Sequence, residues 1–265
     1  NKAKYLLKGK IKEISRKNLF KDTFTLDFPD VGELEVYPNR DSVQYVDIYD
    51  IPETKTMFRG TFRYKGWCET LDLMKRLDLI SEEKRNVKGK TYKEFMADML
   101  GAKDASNIKQ KTAGFLSIDI DNYALNALEW LGLFSDKPMN RSEDSPFNIT
   151  SDLMIEKMRP KSKEERDMVV MQHTFLASYP NNEKEVIKSR MLEFGKPATN
   201  TSVALTVALP AAVAVKMILE GKIMVKGVFR PVIPQIYNPI LDALEELNIK
   251  MIEEFGLPES EMIER

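Results

Sequence analysis

The sequence predicts an α/β fold, a mixed and mostly antiparallel sheet packed by helices, with an all-α subdomain inserted into it. Three observations carry this. Short runs of aromatic and β-branched residues fill positions 1–67, helical periodicity takes over from Cys68 to about Arg159, and extended runs return after Pro160. The predicted organisation is therefore one α/β domain made of residues 1–67 and 160–265, with 68–159 as a helical insert. At 265 residues the chain is long enough for one to two domains with a real core.

In chain order, Tyr5 to Ile14, Thr23 to Phe28 and Glu33 to Val36 read as strands, separated by the polar Ser15 to Asp22 and by Pro29-Asp30-Val31-Gly32. Thr61-Phe62-Arg63-Tyr64 alternates as a further strand. After Gly66, Leu71, Met74, Leu77 and Leu79-Ile80 follow three- and four-residue steps, as do Phe95, Met96 and Met99-Leu100. Ala124 to Leu133 is a third predicted helix, with Leu125, Leu128 and Trp130-Leu131 on its buried side. Asn148 to Met158 is a fourth; Ser81 to Lys90, Lys103 to Lys111 and Asp136 to Ser145 read as polar loops.

Asp167 to Tyr179 and Glu185 to Phe194 are extended runs bridged by Pro180-Asn181-Asn182, a hairpin signal. Pro197 to Val215 carries no charge, but its polar residues and Pro210 leave too short an apolar core for a membrane span. It reads instead as a buried helix, capped near Thr199 to Ser202 and ending at Gly221. The tail from Val228 to Ile249 leads past three prolines into an amphipathic helix on Ile240, Leu241, Leu244 and Leu247, and from Glu253 on an acidic, partly ordered end is expected.

Composition narrows the function classes. Forty basic and 41 acidic residues leave a net charge of −1 with the basic residues scattered, so neither nucleic acid nor a membrane surface is an expected partner. The single cysteine, Cys68, rules out an internal disulfide and suits a reducing compartment; with His173 as the one histidine, no familiar metal-ligand set is available. His173 reads as a structural residue of its strand, since nothing offers it a triad. No P-loop and no G-x-G-x-x-G after a strand is present, so no nucleotide is expected to bind by a recognised route. The chain begins at Asn1 without an initiating methionine or a targeting segment, and an excised internal fragment is the expectation.

The stretch richest in chemistry is Tyr37 to Tyr64, with Arg40, Arg59 and Arg63 beside turn residues or strand ends. Guanidinium groups are planar, permanently charged and bidentate, and several converging on one pocket receive a small molecule with several carboxylates or phosphates. The competing reading pairs these arginines with Asp41, Asp47 or Glu53 on the surface.

The segments YPNRDS, RGTFRYKGWCETLDLMKRLDLI, ERDMVVMQH and AVAVKMILEGKIMVKGV resemble, in that order, the substrate-binding part of saccharopine dehydrogenase of the glutamate-forming kind, from about Lys4 to Glu253. In that family a dinucleotide-binding domain precedes this region, and saccharopine lies between the two. The resemblance implies oxidoreduction at the CH–NH bond of saccharopine in lysine metabolism, with NADP or NAD bound in the full-length enzyme and no cofactor bound by this chain alone. Arg40 of YPNRDS and Thr61, Phe62 and Arg63 of RGTFRY match the family's substrate-contacting positions, while its general acid–base groups lie mostly upstream of Asn1 and no catalytic residue is assigned here. The partners implied are saccharopine, or glutamate plus aminoadipate semialdehyde, in the cytoplasm; a homodimer is left open. ATNTSVAL departs from the family's glycine-rich or serine-containing lead into its helix. A related dehydrogenase for another amino acid or a carboxylated polyamine, and a non-catalytic interaction domain on the same fold, stay open as alternatives.

Overall fold

The computed structural model describes residues 2–263. The chain divides into two compact units, Asn1–Arg159 and Pro160–Arg265. The first opens with a hairpin of β1 (Ala3–Leu7) and β2 (Lys10–Ile14), joined by Lys8 and Gly9, both at positive φ. That turn splits the single run read from Tyr5 to Ile14, because a two-residue turn of this hand matches the twist of the flanking strands. A three-stranded antiparallel sheet follows, β3 (Phe24–Phe28), β4 (Gly32–Pro38) and β5 (Gly60–Tyr64), with β4 in the middle. Strand alternation sorts its side chains: Phe28, Leu34 and Val36 are buried on one face, where Phe28 meets Phe62 edge-on. Tyr5 and Phe24 flank Phe58 in the same aromatic group. Glu35, Tyr37, Thr61 and Arg63 take the opposite face.

A four-residue helix, α1 (Tyr45–Ile48), lies in the link between β4 and β5. After β5 the unit is helical: α2 (Trp67–Arg76), α3 (Tyr92–Leu100), α4 (Ile108–Leu116), α5 (Tyr123–Leu131) and α6 (Pro146–Met158), with two short paired strands, β6 (Arg85–Asn86) and β7 (Glu143–Asp144). Their apolar stripes meet in one core that includes Leu77, Phe95, Met96, Leu128 and Ile149. Thr91 and Glu94 form a reciprocal capping box at the start of α3, and Ser145 caps α6 ahead of Pro146. Helix α4 occupies part of the expected 103–111 loop: Ile108, Thr112, Ala113 and Leu116 bury a helical stripe that the lysines between them obscure.

Trp130 departs from its expected place. It is 52% exposed, whereas Leu128 is fully buried. The buried positions of α5 are Ala124, Leu125, Leu128 and Leu131, and two residues from Leu128 correspond to about 200° around a helix, which turns Trp130 outward under Lys157.

In the second unit β8 (Met168–Ser178) and β9 (Lys184–Phe194) form the expected hairpin, in register from Met168 opposite Phe194 to Ser178 opposite Lys184. The expected loosely ordered acidic end is instead β10 (Ile252–Leu257), which pairs with β9, followed by a single 3-10 turn; residues 264 and 265 lie outside the described residues. His173 sits opposite Ser189 with its ring stacked on Phe175. Asp167 receives the Ser202 and Val203 backbone N–H groups at 2.7 and 3.2 Å, capping the helical stretch that follows. A wide π turn, Ala204–Ala208, leads into α7 (Leu209–Leu219), directly before Pro210, which has no N–H for the regular ladder. The expected burial of this helix does not hold: Val207 is 66% and Leu219 82% exposed, and within α7 only Met217 is buried. Leu205, Leu209 and Val213 do pack on a small core of Met191, Ile249 and Leu244 of α8 (Pro234–Glu246), so an uncharged sequence here covers one face, not a whole circumference.

The two sides of α5 provide a test. Leu128→Ala is expected to lower unfolding stability by about 2–5 kcal/mol, the range for deleting a buried leucine. Trp130→Ala should change it by about 1 kcal/mol or less, a surface contact with a lysine. Denaturant unfolding of both variants checks the assignment, and a larger loss for Trp130→Ala would reverse it.

Candidate functional site

The arginine-bearing stretches meet through the β4–β5 ladder, which runs from Leu34 opposite Tyr64 to Pro38 opposite Gly60. The pairing continues one step further, since the Asn39 N–H donates to the Arg59 carbonyl at 2.8 Å. Gly60 is required by this approach: a Cβ there would stand 2.4 Å from Val36 Cγ1 and 2.9 Å from the Phe58 ring. Arg40 thus sits just past the end of β4, opposite Phe58, and Arg63 lies five residues further along β5, about 17 Å at a strand's rise.

Arg40 occupies the left-handed region, φ 55°. For a residue with a Cβ this costs on the order of 1–3 kcal/mol and persists only where the surroundings impose it. Here they do. The Arg40 carbonyl accepts from the Lys4 N–H at 2.8 Å, the Ser42 N–H donates to the Lys4 carbonyl at 2.7 Å, and Asp41 accepts from the Val43 N–H at 2.9 Å. The turn is held to β1 and its side chain, anchored nowhere else, is exposed to solvent.

Arg63 projects from the polar face of β5, opposite Glu35, with its guanidinium 5.6 Å above the Trp67 ring and donating to the Phe62 carbonyl at 2.7 Å. Glu35 does not neutralise it. Its two oxygens accept the N–H groups of Gly66 and Cys68 at 2.9 and 3.1 Å, capping α2, where a carboxylate also meets the positive end of the helix. Gly66 starts that helix at φ 89°, and a Cβ on it would stand 2.0 Å from the Tyr123 ring. Burial, with the charge and hydrogen bond of Glu35 adding to it, pushes the Cys68 thiol up to about 12, while Arg63 acts in the opposite sense.

The four matched positions are therefore arranged unequally. Thr61, opposite Tyr37, shares the polar face with Arg63; Phe62, opposite Val36, turns its ring into the aromatic side of the sheet and presents its backbone. Arg40 lies at the end of the same ladder. Among the described residues neither Arg40, Arg59 nor Arg63 forms an ion pair with a carboxylate, so the pairing with Asp41, Asp47 or Glu53 weighed from the sequence does not occur. Arg59 is half-buried, bonded to the Tyr45 hydroxyl at 2.6 Å and lying over that ring. Two buried donors in this region, Arg59 Nε and Trp67 Nε1, reach no acceptor among the described residues. Buried donors are rarely left so. Glu35, Ser42, Tyr45 and Trp67 are parts of the site that sequence reasoning did not single out; an acidic residue inside the apolar LEVYP run was the one available signal.

The profile of the family described as Saccharopine dehydrogenase C-terminal domain matches residues 1–249. The chain belongs to that family. It is 34% identical over 250 residues to the alpha-aminoadipic semialdehyde synthase, mitochondrial, of Mus musculus, covering 92% of this chain and 27% of that protein. It is 31% identical over 254 residues to saccharopine dehydrogenase [NADP(+), L-glutamate-forming] of Saccharomyces cerevisiae, covering 93% of this chain and 56% of that one. Among solved structures, apo saccharopine dehydrogenase (L-Glu forming) from Saccharomyces cerevisiae superposes with a TM-score of 0.85 at 30% identity, over 96% of this chain and 59% of that chain. The chain thus spans between about a quarter and somewhat over half of these relatives' length.

The names of the yeast relatives carry NADP. All strand ladders among the described residues are antiparallel, without a βαβ crossover, and the helical stretches entered from β5 and β9 have their free N–H groups capped by Glu35 and Asp167. A pyrophosphate would meet a carboxylate at either place. Among the described residues no group of His, Cys, Asp and Glu could hold a metal ion, and no helix is long and apolar enough to cross a membrane.

The raised Cys68 thiol favours the folded state up to the ordinary thiol range, and this contribution is lost as pH rises from there toward about 12, because the folded chain keeps a proton that the unfolded chain releases. At pH 9 Cys68 should therefore resist iodoacetamide in the folded protein and react readily in denaturant. Equal labelling rates in the two states would contradict this account of the α2 cap.

Proposed function

We propose that this chain is the saccharopine-binding part of a glutamate-forming saccharopine dehydrogenase of lysine metabolism, an oxidoreductase acting on the CH–NH bond of saccharopine with NADP held outside these residues. The observation that carries the reading is the uncompensated state of Arg40 and Arg63 at the β4–β5 ladder, inside the two motifs that match the family's substrate contacts. Saccharopine has three carboxylates and two amines, and a fork of N–H donors held by a strand and a fixed turn binds carboxylates by paired, charge-assisted bonds. In this reading Arg40 and Arg63 each take one carboxylate, and the Thr61 hydroxyl and the backbone of Phe62 supply neutral bonds. Their work is to bind and orient; the groups that move protons belong to the rest of the enzyme.

The domain grouping of 1–67 with 160–265 around a 68–159 insert, a cytoplasmic location and a homodimer complete the proposal. The last is read by sedimentation of the full-length protein.

In the full-length enzyme Arg40→Ala and Arg63→Ala should each weaken saccharopine binding by about thirty-fold or more, the cost expected when a charge pair that the bound ligand itself covers loses its guanidinium. Lysine at either position should restore only part of this, since a point charge does not reproduce the fork. Cofactor affinity should be unchanged. Calorimetric titration of saccharopine decides it, and normal binding by both alanine variants would end the assignment. In the isolated chain NADPH should show no saturable binding; a saturable isotherm would place the cofactor site within these residues.

A further inference from the structure

We propose that Ser42 is a positioning residue, whose buried hydroxyl fixes the turn that aims Arg40; this rests on the saccharopine reading of that arginine. The turn from Asn39 to Ser42 is tied on one side to β1 and on the other to the chain entering β5. On the β1 side both bonds, Lys4 N–H to the Arg40 carbonyl and Ser42 N–H to the Lys4 carbonyl, use main-chain atoms that any sequence would supply. So does the Asn39 N–H to the Arg59 carbonyl. The closing tie is different: the Arg59 N–H donates to Ser42 Oγ at 3.1 Å, and Ser42 is 1% exposed. It is the side-chain bond that joins the arginine turn to the lead into β5, and removing it takes the acceptor from the partly buried Arg59 N–H.

The consequence falls on Arg40 because of its backbone. A left-handed residue with a Cβ relaxes to negative φ when its surroundings allow, and the side chain then leaves from the Cα in another direction. The Arg59 end of the tie is itself anchored, with its guanidinium bonded to the Tyr45 hydroxyl at 2.6 Å in the short helix that follows the turn. Ser42, Arg59 and Tyr45 thus close a ring of contacts around the loop between β4 and β5, and Arg40 extends from that loop into solvent. A serine that serves only packing would affect folding and leave ligand geometry alone.

The test is a double-mutant cycle in the full-length protein, read by calorimetric titration with saccharopine and by thermal unfolding. Ser42→Ala alone should weaken binding by about tenfold, with NADP affinity unchanged. In the Arg40→Ala background the same substitution should have no further effect, because its action passes through that side chain. Equal losses in both backgrounds would overturn the proposal, as would wild-type affinity in Ser42→Ala. An unchanged affinity in Arg40→Ala alone would instead defeat the saccharopine reading of Arg40, and the positioning role with it. If Ser42→Ala does not fold, Tyr45→Phe loosens the Arg59 anchor and enters the same cycle, with non-additivity expected and additivity overturning the proposal.

Discussion

The five antiparallel pairs between β4 and β5 bring two arginine-bearing segments, about twenty residues apart in sequence, side by side in one sheet, with Arg40 just past one end of the ladder and Arg63 one pair from the other. Nearly every feature of the site is conditional on that register. Side chains alternate across a strand, so a slip of one residue would drive Arg63 into the aromatic face and bring Phe62 out beside Glu35. What prevents it is packing on both sides: Leu34, Val36 and Phe28 are buried, Phe62 meets Phe28 edge-on, and Gly60 admits Val36 at a distance that no larger residue would allow. On the polar side the Glu35 carboxylate engages the first turn of α2, which ties the sheet to the helix that follows it.

The acidic residues around the arginines explain why the latter remain available. Glu35 serves α2, Asp41 serves the backbone of Val43, and Glu33 pairs with Lys65. A chain whose charges nearly balance, 40 basic against 41 acidic, would supply partners to most surface arginines by chance. Here the local carboxylates are held by other donors, so an incoming carboxylate need not displace an internal one. Removing a guanidinium from an existing pair would offset much of what a ligand contributes. The orphaned donors of Arg59 and Trp67 belong to the same pattern, a polar region not completed by its own residues.

The sheet and most helices were legible because burial leaves a period in the sequence: the alternation of TFRY, the steps of Leu71, Met74 and Leu77, the paired runs around Pro180. The arginine motifs were legible through family resemblance and turn chemistry. The left-handed φ of Arg40 was not, since arginine gives no signal for it and the cause is a set of bonds to residues elsewhere in the chain. Trp130 departs from its expected burial because angular position on α5, not the size of its ring, decides which residues are covered. The uncharged stretch into α7 does the same at larger scale: the absence of charge marks what could be covered, and Val207 of the π turn and Val215 and Leu219 of α7 are not. Lys109 and Lys111, standing between the buried Ile108 and Thr112, obscured the stripe of α4.

Side-chain guanidinium resonances of the full-length protein, followed by NMR as saccharopine is added, test the central claim most directly. The account predicts that the signals of Arg40 and Arg63 shift together and saturate at one common affinity, each narrowing its rotation as the paired bonds form. Shifts confined to arginines outside the β4–β5 ladder, with these two unchanged at saturation, would contradict it.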